Sequence, residues 1–173
     1  MNTDLLTLME TRRSVRSFKP DMIPSDVIDQ IIKAGTYAAT GMNRQSPIII
    51  AVTNKEMRDR LSRMNAKIMG SDKDPFYGAP VVLIVLAKKE APTHVYDGSL
   101  VMGNLMNAAA SLGIGSCWIH RARQEFESAE GKALMKKWGV SENYAGIGHC
   151  ILGYAASEAP APKPRKKDYV INR

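Results

Sequence analysis

The chain has 173 residues, 45% of them hydrophobic and 24% charged, with a net charge of +7. That balance suits one globular domain with its own core, and two cysteines exclude a disulfide framework and a four-thiolate zinc cluster. The longest apolar run, residues 81–87, is far short of the ~20 residues a membrane-spanning helix needs.

Taken in chain order, the N-terminus has acids before its first basic residue and lacks signal-peptide order, so a reduced, soluble, cytoplasmic protein is expected. Residues 4–11 read as a short helix with Leu5, Leu8 and Met9 on one face. Ser25 is the expected N-cap of the next helix. Val27, Ile28, Ile31 and Ile32 recur at helical spacing, and Gly35 is its natural stop. Residues 37–47 are rich in turn formers, 48–53 form a β-branched strand, 55–69 an amphipathic helix, and 70–80 a loop. Residues 81–87 are apolar on both faces, which predicts a central strand covered on both sides. The helix expected over 97–112 is rich in small residues and suits a core helix and a subunit interface about equally. A strand over 114–119, a helix over 124–138 and a strand over 146–154 follow. The tail from Glu158 is Pro-rich and basic and cannot bury a core alone, so it stays loose or packs on a partner. The irregular interleaving, and a link from 87 to 97 too short for a helical crossover, predict an α+β fold rather than doubly wound α/β.

Several sites are missing from the sequence. There is no phosphate-binding GxxxxGK[ST], no G-x-S-x-G elbow and no HExxH. His94, His120 and His149 lack metal-ligand spacing, so no metal is expected. Cys117 and Cys150 lie in apolar strands and read as buried, inert thiols. An enzyme built from this inventory carries its chemistry on a cofactor. The basic excess falls mostly in two short clusters, Arg12-Arg13-Ser14-Val15-Arg16 and the tail. Two such clusters suit a small phosphate better than a polyanion, and no nucleic-acid-binding pattern accompanies them. In an extended segment Arg12, Ser14 and Arg16 point the same way, offering two guanidinium forks and a hydroxyl to one ligand; a solvated basic loop is the competing reading. In Thr40-Gly41-Met42-Asn43-Arg44-Gln45-Ser46-Pro47, Gly41 permits close backbone approach, and Asn43 and Gln45 carry amides of the kind heterocycle edges need; an ordinary polar loop between helix and strand is the equal alternative.

The motifs RRSVRSF, ATGMNRQSP, FYGAPVVLIVLA, LGIGSCWI and a terminal KPRK occur in this order over nearly the whole chain. In combination they resemble the FMN-dependent nitroreductase family in its short, single-domain form. The resemblance implies an α+β nitroreductase-like fold with a central mixed, mostly antiparallel sheet flanked by helices. It implies an intertwined homodimer with FMN at the interface, and one domain over 1–173. It also implies ping-pong transfer of hydride from NADH or NADPH through flavin N5 to nitroaromatic, quinone or similar acceptors. Carried onto these residues, the basic motif gives Arg12, Arg13, Ser14 and Arg16 as cofactor-binding, with Arg12 and Ser14 at the phosphate or ribityl side and Arg16 at the N1/C2=O edge. Ala39, Thr40, Gly41 and Asn43 reach the flavin of the other subunit. Trp118, Ile119, His120 and Arg121 lie along the ring, although many relatives have Gly where His120 stands. Lys163 and Arg165 clamp the phosphate, packing the tail of residues 158–173 on the partner. Phe76 and Tyr77 fit a substrate pocket or the core equally. No catalytic side chain is implied. A non-redox flavin store or sensor on the same fold is the alternative.

Overall fold

The computed structural model describes residues 5–172; the predicted helix start at Asp4 and the last tail residue, Arg173, lie outside the described residues. The elements run α1 (Leu5–Thr11), α2 (Ser25–Thr36), a 3-10 turn (Gly41–Asn43), β1 (Pro47–Val52), α3 (Lys55–Met69), β2 (Val81–Lys88), α4 (His94–Ser111), β3 (Gly115–Ile119), α5 (Ala122–Glu127), α6 (Ala129–Lys137) and β4 (Tyr144–Gly153). The fold is α+β, as the sequence predicts.

The four strands form one sheet in the order β1-β2-β4-β3, and every neighbouring pair is antiparallel. The parallel element of the expected mixed sheet is a single bridge from Ser14 to Ser116, outside the named strands. β2 is central and buried on both faces along Val81–Ala87. Its alternation divides the core. Val81, Leu83, Val85 and Ala87 pack with Ile31 of α2 and with Met102 and Leu105 of α4. Val82, Ile84 and Leu86 pack with Leu61 of α3, Phe126 of α5 and Leu134 of α6. One sheet thus separates two apolar layers, which explains why β2 reads as a continuous apolar run.

Local signals set α3. Asn54 caps it by accepting from Met57 N at 3.0 Å, and Gly70 closes it in the left-handed conformation. Three other boundaries differ from expectation. Ser25 is the first helical residue of α2 rather than its cap, and Pro24 precedes it without a side-chain cap bond. Gly35 does not stop α2; it lies inside the helix, where a Cβ would collide with Leu105 of α4. The helix expected over 124–138 breaks at Ser128. Ser128 Oγ donates to Glu125 O at 2.7 Å and accepts from Gly131 N at 3.0 Å, ending α5 and capping α6. In addition α4 begins three residues earlier than expected, at His94.

Candidate functional site

After α1 the chain runs extended along the outer edge of β3. Val15 N donates to Ser116 O at 2.9 Å, and a Cβ on Gly115 would press on Val15. The segment leaves antiparallel to the start of the tail, with Lys19 N donating to Tyr154 O and Ala156 N to Ser17 O. A groove of about 270 Å³ lies between Ser14–Ser17 and residues 157–160. The basic cluster is therefore held on the sheet edge by backbone bonds and is not a solvated loop.

Its donors are only partly used. Arg13 Nη1 donates to the carbonyls of Glu10 and Arg12, at 2.8 and 2.7 Å. Arg12 Nη1, Arg13 Nε, Arg13 Nη2 and Ser116 Oγ are buried and lack partners among the described residues. A buried, unpaired donor on a cation is unfavourable by about 1–3 kcal/mol or more. Such a cluster suits a bound anion of phosphate type. Arg16 is exposed in the single chain.

β3 continues from this edge into Trp118-Ile119-His120-Arg121, so the first and third sequence-predicted groups share one edge of the sheet. Trp118 covers Gly148 of β4, where a Cβ would strike the indole. Arg121 has φ 78°, in the left-handed region, and leads into α5. That conformation is unfavourable for a side-chain-bearing residue and needs support from its surroundings.

The support is a polar cluster under the strand end. Asn65 of α3 is fully buried; its Nδ2 donates to His120 O at 2.9 Å and to Glu125 Oε2 at 3.1 Å. Its Oδ1 accepts from Arg121 Nε at 2.9 Å. Glu125 Oε2 lies 3.3 Å from His149 Nε2, and both side chains are fully buried. Phe76 and Phe126 flank the imidazole, with ring centroids 5.3 and 6.1 Å away. Burial pushes the Glu125 carboxyl up to about 8, against bonds from Asn65 and the charge of Arg121, with Glu130 adding to the rise. Burial pushes His149 down to about 3. Burial thus favours the neutral form of both side chains. Phe76 is a core residue, while Tyr77 is exposed with φ 53°.

The second predicted group lies elsewhere. Ala39, Thr40, Gly41 and Asn43 precede β1, at the opposite edge of the sheet from β3. Asp97, in the first turn of α4, fixes this loop. Its Oδ1 accepts from Gly41 N at 2.9 Å, and its Oδ2 from Ser46 Oγ and Thr93 Oγ1, both at 3.0 Å. Gly41 is required because a Cβ would collide with Thr93. Met42, Asn43 and Gln45 all have φ near 50°, so the loop is held in a strained form with Met42 and Asn43 exposed. Strain of this kind concentrates at ligand-binding loops. Lys163 and Arg165 are exposed, and Arg165 Nη2 donates to Lys163 O within the tail.

One chain thus unites 12–16 with 118–121 but leaves 39–43 across the sheet. Sequence reasoning missed Asp97, Glu125 and His149. The polar residues inside otherwise apolar elements were their signal: Asp97 in the first turn of α4, and His149 within β4. Among the described residues no cluster of His, Cys, Asp or Glu could hold a metal ion, and no helix is long and apolar enough to cross a membrane. Both cysteines are buried and free, and burial raises Cys150 to about 12.

Fold and site together define an α+β protein with an anion-ready sheet edge. A Bacteroides fragilis nitroreductase crystallised with bound FMN is 30% identical, with a TM-score of 0.87 over 98% of both chains. A Desulfitobacterium hafniense nitroreductase, also with bound FMN, is 27% identical, with a TM-score of 0.87 over 99% of both. An Archaeoglobus fulgidus protein, provisionally named NADH dehydrogenase/NAD(P)H nitroreductase, is 30% identical over 158 residues, covering 90% of this chain and 87% of its own. The Nitroreductase family model matches residues 9–154, and the chain belongs to that family.

Proposed function

We propose that this chain is an NAD(P)H-dependent oxidoreductase that uses FMN to reduce nitroaromatic, quinone-like or similar acceptors by ping-pong turnover. The observation that carries the reading is the set of buried, unpartnered donors on Arg12, Arg13 and Ser116. These residues fit the phosphate end of such a cofactor. Bound FMN would supply hydride acceptance at N5 and onward transfer of the electron pair.

The chain's own residues supply binding and electrostatics. Arg12, Arg13 and Ser14 hold the phosphate and ribityl side from the edge of β3. Arg16 presents a cation to the N1/C2=O edge, where reduction places negative charge. Trp118, Ile119, His120 and Arg121 line the ring. In this reading Ala39, Thr40, Gly41 and Asn43 come from a second copy, because one chain keeps them at the far edge of its sheet. Leu6 and Met9 of α1, Tyr96 and Leu100 of α4, and Val170 and Ile171 of the tail are exposed apolar side chains that a homodimer would cover. The tail then packs on the partner, and Lys163 and Arg165 close on the phosphate. Residues 1–173 act as one domain. Two free cysteines suit a reduced cytoplasm.

The test is a visible absorption spectrum of the purified protein, followed by anaerobic NADH and then NADPH. A flavin spectrum that bleaches with either donor is expected. A flavin spectrum that neither donor bleaches would make the chain a flavin binder without turnover. A protein that stays colourless and cannot be reconstituted with FMN would overturn the reading.

A further inference from the structure

We propose that Asn65, backed by the Glu125–His149 couple, is a positioning residue for the flavin-facing strand end at His120 and Arg121. The proposal rests on the FMN reading above.

The geometry is specific. One buried amide uses both its ends on consecutive residues: Nδ2 holds the His120 carbonyl, and Oδ1 holds Arg121 Nε. The bond at Nε fixes the plane of the guanidinium and leaves its two terminal nitrogens to solvent or ligand. Arg121 also carries the left-handed φ of 78°. A strained residue persists where its surroundings over-determine it, and Asn65 provides two of those constraints. Glu125 fixes the amide in turn by accepting from the same Nδ2, so the amide cannot be flipped without losing three bonds. Glu125 is itself set against His149, which lies opposite Ile119 in the β3–β4 register. A chain of contacts therefore runs from β4 through α5 and α3 to the turn after β3. Neither carboxyl nor imidazole reaches the surface. Their contribution to the site is the orientation of residues 119–121.

A double-variant cycle on the FMN-loaded protein tests this, using Asn65→Leu, Arg121→Gln and the pair. FMN affinity, the midpoint potential of the bound flavin and thermal stability are read for each. If Asn65 acts through the strand end, its effect on FMN affinity and potential shrinks in the Arg121→Gln background, by about tenfold in Kd. Purely structural loss lowers the thermal midpoint and leaves the two effects on Kd additive, which would overturn the proposal. Should the Asn65→Leu chain fail to fold, Glu125→Gln replaces it. That side chain keeps the shape of the protonated acid but can turn its NH2 toward Asn65. The same non-additivity is expected, and additivity overturns the proposal. Wild-type protein that binds no FMN would instead remove the flavin reading on which the proposal stands.

Discussion

Asp97 Oδ1 accepts the backbone N–H of Gly41 at 2.9 Å, tying the first turn of α4 to the loop before β1. Its other oxygen accepts from Ser46 and Thr93. Asp97→Ala leaves those donors without an acceptor. It should destabilise the protein by about 3 kcal/mol and weaken FMN binding by releasing residues 40–46. Urea unfolding and a flavin titration check both effects. Although burial raises the Asp97 carboxyl, the three bonds lower it further and win. Its contribution is therefore present above the ordinary carboxylate range and is lost as pH falls through its lowered value.

The Glu125–His149 couple gives a second pH signature. Glu125 rises from 4.5 to about 8, so its contribution declines as pH climbs through that window. His149 falls from 6.5 to about 3, so its contribution grows with pH between those values. The two slopes cancel between about 4.5 and 6.5 and leave a net decline from 6.5 to 8. Thermal midpoints of wild type should fall over that last interval. Glu125→Gln should remove the fall, and a parallel decline in the variant would contradict the assignment.

The anion-ready edge predicts a selective loss. Arg12→Ala should raise the FMN dissociation constant about 10- to 100-fold, the range for hydrogen bonds to a charged group. FMN fluorescence titration measures this. Arg16→Ala should act differently, lowering the flavin reduction potential and slowing hydride uptake more than it weakens binding. Equal potentials for Arg16→Ala and wild type would remove the role given to Arg16.

Gly131 sits where a Cβ would collide with the Glu125 carbonyl and the Phe126 backbone. Backbone cannot move aside as a side-chain tip can. Gly131→Ala should therefore destabilise by about 2–3 kcal/mol, seen as a lowered thermal midpoint.

Light scattering at micromolar concentration should return the mass of two chains. A monomeric mass would leave residues 39–43 unable to join 12–16, because the sheet separates them.

Much of the fold was legible because its causes are local. The bounds of α3 follow from Asn54 and Gly70, and the doubly buried β2 from its unbroken apolar run. The basic cluster and the 118–121 segment were legible as motifs. Ser25 misled by one position, since Pro24 takes the cap place, and Gly35 misled because a good local signal was overruled by a contact. Gly35 is small so that α2 can approach Leu105, not because the helix ends there. The break at Ser128 was invisible because it depends on two hydrogen bonds made by one hydroxyl.

Local patterns along the chain already encode the α+β plan, the two apolar layers and the basic residues available for an anion. These depend on periodicity, composition and short motifs, which are properties of neighbouring residues. Which motifs meet depends on the folded chain. It placed Arg12–Arg16 beside Ser116 through backbone bonds that any sequence there could make, and it sent residues 39–43 to the other edge of the sheet. It also joined Asn65 of α3, the Arg121–Glu125 start of α5 and His149 of β4, three separate stretches of chain. Which polar groups meet in the interior depends on what the fold brings within about 3 Å, and no spacing along the chain encodes that meeting.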